Sequence, residues 1–146
     1  MEYVSSIEKS PRNKHLSIAR NLLEKHPDPE HRYRLIAVGF KGSRVIDFGF
    51  NSAKTHPEML NLAEKFNIEK MYPDSTINFV SQAKHAEISC LTNCDECDTL
   101  LVLRLTRDGA LANAKPCNIC FAKILESGVK RVYYSTKNGF EMMRLN

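Results

Sequence analysis

Two short blocks carry residue types that could do chemistry together: His85-Ala86-Glu87 and Pro116-Cys117-Asn118-Ile119-Cys120, separated by 28 residues, 88 to 115. One imidazole and two thiolates suffice to hold Zn²⁺ and leave the fourth tetrahedral position to water, the ligand count of a catalytic site. Glu87 is then left to carry protons. A helix starting near Pro116 puts Cys117 and Cys120 on one face, because proline lacks only the amide proton that a first turn does not use. The positive end of such a helix also favours thiolate over thiol.

Zinc so held lowers the pKa of a bound water from about 15.7 towards roughly 7. With Glu87 moving protons, the product is hydroxide attack on an amino-substituted aromatic carbon, C4 of a cytosine or C6 of an adenine, and loss of ammonia. H-x-E followed by P-C-x-x-C is the pattern of zinc-dependent nucleobase deaminases. A second reading uses the same late cysteines differently. Cys94-x-x-Cys97 and Cys117-x-x-Cys120 are separated by 19 residues, 98 to 116, within the spacing of a four-cysteine zinc ribbon. That would be a non-catalytic binding module with a structural zinc on Cys94, Cys97, Cys117 and Cys120. It accounts for neither His85-Ala86-Glu87 nor Pro116, and Phe121 to Ser127 reads as helix where a ribbon has hairpin turns. Disulfides suit neither the five cysteines nor a start, Met1 to Ser6, without the basic and apolar regions of a secretory signal.

The elements that must position these residues follow from periodicity. Leu16, Ala19, Leu22 and Leu23 recur at helical spacing between Ser10-Pro11 and the breaker His26-Pro27-Asp28-Pro29. Tyr33 to Phe40 and Arg44 to Phe50 are β-prone runs joined by Lys41-Gly42-Ser43, an antiparallel pair. The stretch from about 52 to 84 is irregular, with a short helix around Met59 to Phe66, and is the candidate substrate lid. Residues 85 to 93 then predict the first metal-bearing helix. Asn93 to Asp98 reads as a polar turn and Thr99 to Thr106 as an apolar strand ending at Arg107-Asp108-Gly109. A second metal-bearing helix is predicted from about Cys117 to Ser127, closed by Gly128. Val129 to Thr136 and Phe140 to Leu145 complete a hairpin around Asn138-Gly139, whose residues tolerate positive φ at both turn centres. This order predicts a three-layer α/β/α fold with a mixed five-stranded sheet and a C-terminal β-hairpin, the ligand-bearing helices meeting over the carboxyl edge of the sheet.

A chain of 146 residues accommodates a single domain, 1–146, with a sizeable core. Hydrophobic content of 42% and charged content of 26% are ordinary for a globular protein, and no run approaches a membrane span. A cytoplasmic protein with no membrane partner is the expectation. The net charge of +4 is mild and its cations are dispersed; Lys9, Arg12, Lys14 and His15 read as a solvated helix approach. Single-stranded DNA or RNA as substrate would call for an electropositive track with stacking aromatics. The chain has no Trp, and Tyr133 and Tyr134 read as sheet residues, so deamination within nucleic acid is the runner-up.

On His85-Ala86-Glu87 and Pro116-Cys117-x-x-Cys120 the chain resembles the cytidine deaminase superfamily, from the first helix to the final strand. Ala122-Lys123-Ile124 and Gly128-Val129-Lys130-Arg131-Val132 are similar to the deoxycytidylate deaminase branch. The resemblance implies His85, Cys117 and Cys120 as zinc ligands, Glu87 as the catalytic acid/base, Asn51 as a contact to the substrate's sugar and Ala86 as a main-chain contact to its base. It implies a small-molecule nucleotide or nucleoside substrate, pyrimidine nucleotide metabolism and a homo-oligomer. Ser89 departs from the asparagine usual in the deoxycytidylate enzymes, and the short C-terminal hairpin looks more like the free-nucleoside enzymes. The insert is similar to that of phage-borne and bacterial relatives, which implies action in a host cytoplasm. Cys94 and Cys97 have no role in the resemblance.

Overall fold

A computed structural model describes residues 6–26, 33–51, 90 and 96–145. In chain order these form β1 (Ser6–Glu8), α1 (Asn13–Leu23), β2 (Tyr33–Lys41), β3 (Arg44–Phe50), β4 (Thr99–Thr106), α2 (Asn118–Ser127), β5 (Arg131–Thr136) and β6 (Gly139–Arg144). The insert from 52 to 84, with its predicted short helix and the lid assignment, lies outside the described residues. So do His85, Ala86, Glu87 and Cys94.

The strand order is β1-β6-β5-β4-β2-β3. β4 and β5 pair in parallel and the other neighbours run antiparallel, so the sheet is mixed as expected. Among the described residues it has six strands rather than five. The addition is β1, which extends the free edge of β6 by pairing Ser6 with Met143 and Glu8 with Glu141. Three residues are too few to show an alternating pattern, so nothing local marks this strand. A hydrogen bond of 2.7 Å from the Tyr134 hydroxyl to Ser6 Oγ pins it to the second strand inward.

Leu100 to Leu103 explain why β4 is central. All four are fully buried, as a strand covered on both faces requires. Leu100 and Val102 pack with Val132, Tyr134 and Ile124 of α2 on one face; Leu101 and Leu103 pack with Ala19 and Leu23 of α1 on the other. Burying each such side chain stabilises the fold by about 1.5 to 3 kcal/mol relative to exposure. The helix α1 buries His15, Ala19 and Leu23, four residues apart in turn, with Leu16 and Leu22 flanking them. His15 therefore does not belong to a solvated approach: its ring is buried, stacked on Phe40 at 3.9 Å.

The C-terminal hairpin forms with a shifted turn. Thr136 pairs with Gly139, so the two loop residues are Lys137 and Asn138, and Gly139 begins the returning strand at φ 143°. The second helix also starts one residue later than expected. Cys117 is its N-cap, with extended φ −70° and ψ 172°, and Pro116 precedes the cap. Gly128 closes the helix at φ 85°, in the left-handed region where a side chain would be strained.

Candidate functional site

Because β4 and β5 are parallel, α2 must run back across the sheet between them. It starts at the edge where both strands end. Five hydrogen bonds deliver the chain there. The Ala112 amide donates to Arg104 O at 3.0 Å and the Ala114 amide to Ser135 O at 2.9 Å. Ser135 Oγ donates to Ala112 O at 2.8 Å and accepts from the Arg104 amide at 3.0 Å. Arg104 Nη1 donates to Asn113 O at 3.0 Å. Ser135 is fully buried, and its hydroxyl satisfies groups that the end of the ladder would leave open. The loop is thus tied to β4 and β5 three residues before the first cysteine.

Cys117 at the N-cap and Cys120 at the third helical position occupy the two places whose side chains meet in a capping box. The first helical bond, from the Phe121 amide to Cys117 O at 2.8 Å, holds the pair in register. Cys120 is fully buried and Cys117 half-buried, and both thiols lie outside any disulfide. Unsatisfied amides and the macrodipole at a helix start favour thiolates at both positions. Such a donor pair fits a thiophilic divalent cation of the zinc type. Cys90 is helical, buried in the same core cluster as Ile124, with its thiol 3.6 Å from Asp47 O. Chain shortly after Glu87 thus packs on the same sheet face as α2.

Cys97 belongs elsewhere. It immediately precedes Asp98 at the opposite edge, where β4 and β5 begin and where Asp98 O accepts from the Lys130 and Arg131 amides at 2.9 and 3.2 Å. The ten residues of α2, about 15 Å of helix, separate that edge from Cys117. Sulfurs sharing a zinc lie within about 4 Å of one another. Cys97 is moreover disulfide-bonded. That bond also corrects the argument from the odd cysteine count, since five cysteines still permit one bond.

Asn51 lies at the carboxyl edge with the start of α2. Its amide donates to Leu35 O at 3.2 Å and its Oδ1 accepts from the Leu35 amide at 3.1 Å. The side-chain carbonyl thereby stands in for a main-chain one and extends the β2/β3 ladder by one residue. A buried histidine, His26, reaches the same oxygen at 2.7 Å. The sequence pattern marked His26 only as part of a helix breaker. Residues 25 apart on different elements leave no periodic signal of their contact. Among the described residues no group of three or more His, Cys, Asp or Glu converges as a metal site, and no helix is long and apolar enough to cross a membrane.

No curated protein matches the chain. The family described as the cytidine and deoxycytidylate deaminase zinc-binding region, however, matches residues 9–136, from just before α1 to the last residue of β5. That span takes in the His85-Ala86-Glu87 and Pro116 to Cys120 blocks, the insert between β3 and β4, and the whole parallel pair around α2. A match of that extent makes this chain a member of the cytidine and deoxycytidylate deaminase zinc-binding family, and zinc is the metal of its site.

Proposed function

We propose that this protein catalyses zinc-dependent hydrolytic deamination of the cytosine ring in a free nucleotide or nucleoside. Water adds at C4, the C4–N bond breaks, and uracil product and ammonia leave without net oxidation or reduction. The observation that carries this is the placement of two thiols at the N-cap and third position of α2, over the carboxyl edge, in a chain of a zinc-binding deaminase family.

In this reading His85, Cys117 and Cys120 hold the ion. Bound zinc supplies a Lewis acid that makes water nucleophilic near neutral pH. Glu87 takes one proton from the attacking water for the ring nitrogen, and a second from the hydroxyl so formed at C4 for the departing amino group. General acid/base work of this kind contributes about 10²- to 10⁴-fold. The main chain at Ala86 hydrogen-bonds the base, and the Asn51 amide contacts the sugar. The mild net charge of +4 supports a free nucleotide or nucleoside over a nucleic-acid strand.

An ammonia-release screen tests this directly, using cytosine, cytidine, cytidine and deoxycytidine phosphates, adenosine and guanine compounds, and single-stranded oligonucleotides, with bound zinc measured in parallel. The expected result is one zinc per chain and turnover of a cytosine mononucleotide or nucleoside. Turnover of oligonucleotides alone would replace the substrate class. Zinc without ammonia from any substrate would overturn the assignment as an enzyme.

A further inference from the structure

We propose that His26 is a positioning residue for the substrate, acting through Asn51; the inference rests on Asn51 being the sugar contact. The Asn51 Oδ1 receives two groups: the Leu35 amide at 3.1 Å and His26 Nε2 at 2.7 Å. The amide is a donor under all conditions, so it identifies the atom facing it as the oxygen. His26 Nε2 must then also carry a proton, which excludes the ring form protonated on Nδ1 alone. Both lone pairs of the carbonyl are engaged. One bond would define which end of the amide faces inward, and two fix its plane as well.

The consequence concerns the other end of the side chain. With Oδ1 held by two donors, Nδ2 is turned to the opposite side, and flipping the amide would set NH₂ against two N–H groups. The end of Asn51 away from Oδ1 therefore carries hydrogen-bond donors rather than an acceptor. It is suited to an oxygen that accepts, as a sugar hydroxyl does. His26 is itself held for this task, being 5% exposed and packed edge-on against Phe50, with ring centroids 5.1 Å apart and planes at 65°. Its main-chain amide is anchored to Leu23 O at 3.1 Å in the closing turn of α1. The end of α1, the end of β3 and the start of β2 are thus joined at one oxygen.

Three measurements test the inference. Long-range ¹⁵N NMR of the wild-type imidazole is expected to show the Nε2–H form; the Nδ1–H form would overturn the proposal whatever the variants do. His26→Phe retains a ring against Phe50 but cannot donate, whereas His26→Gln can. With cytidine or deoxycytidine 5′-monophosphate, whichever is turned over, His26→Phe is expected to raise KM about tenfold, the effect of one lost hydrogen bond, with kcat and zinc content little changed. His26→Gln should recover most of the loss. Asn51→Asp preserves the accepting oxygen and removes the donors, and should raise KM at least as much. If Asn51→Asp raises KM and His26→Phe leaves it unchanged, the role of His26 is refuted and the sugar contact stands. If Asn51→Asp leaves KM unchanged, the sugar contact itself fails.

Discussion

At the edge where β4 and β5 begin, His15 is buried against Phe40 and gives its Nε2 proton to Gly42 O at 2.9 Å. At the edge where they end, His26 is equally buried and directs Nε2 to the side chain of Asn51. The difference lies in the acceptor. Around His15 the bonds run to the main chain or close on themselves. Asp98 takes the Gly42 amide at 3.1 Å and the Thr99 hydroxyl at 2.8 Å, and its own amide donates to Phe40 O at 2.9 Å. This edge ties the β2/β3 turn to the starts of β4 and β5, a structural task. Around His26 the bond ends on a side-chain amide, that of Asn51, whose Nδ2 donors lie on the side away from the histidine. Burial and a good hydrogen bond do not distinguish a structural histidine from a functional one; what its partner can do next does.

Charge follows the same division. Burial pushes the His15 pKa below its usual value, with Arg12 and Lys14 acting in the same sense and the Gly42 bond and Asp98 opposing. For Asp98, burial works to raise the pKa, yet the bonds from Thr99 and Gly42 and the charges of Arg131 and Lys130 hold it below the carboxylate norm. Each group is therefore kept in its native form near neutral pH.

The contrast between the edges can be broken most forcefully at the metal. Cys117→Ser and Cys120→Ser are each expected to abolish stoichiometric zinc and all deamination, whereas Cys97→Ser, altered at the other edge, should keep its zinc. Metal analysis of the purified variants decides it, and zinc loss in Cys97→Ser would erase the division. Glu87→Gln should retain the ion while kcat falls by about 10²- to 10⁴-fold, measured by ammonia release. His15→Ala is expected to cost about 1 to 3 kcal/mol in denaturant unfolding, from the lost Gly42 bond and ring packing, with kcat unchanged.

Acid titration sharpens the comparison further. A histidine whose folded pKa is depressed binds fewer protons than in the unfolded chain, so stability is full above 6.5 and declines as pH falls from there towards the folded value. His15→Gln should flatten that decline. Asp98 adds its own loss only below 3.8, as pH falls through its lowered folded value. The smallest effect is expected on the exposed side of α2. Removing the 3.4 Å pair of Lys123 and Glu126 by Lys123→Ala should change stability by no more than about 0.5 kcal/mol.

Much of this was legible without coordinates. The apolar run from Thr99 to Thr106 and the pairs of turn residues predict β4 and both hairpins. Gly128 predicts the end of α2. The two cysteines three residues apart predict donors at one helix start. His15 was misread because a charged neighbourhood, Arg12 and Lys14, suggested solvent, while the burial comes from Phe40 on β2. β1 was missed because its partner, β6, lies at the far end of the chain.

The residue types and their short-range spacing determined the kind of metal, the polarity of the helix that carries the two thiols, and the local elements, since these depend on neighbours a few positions away. Only the tertiary structure decided that Cys97 and Cys117 face opposite edges and that His26 meets Asn51. Which distant residues share an edge depends on strand order and register, and those are set by packing both faces of β4 at once.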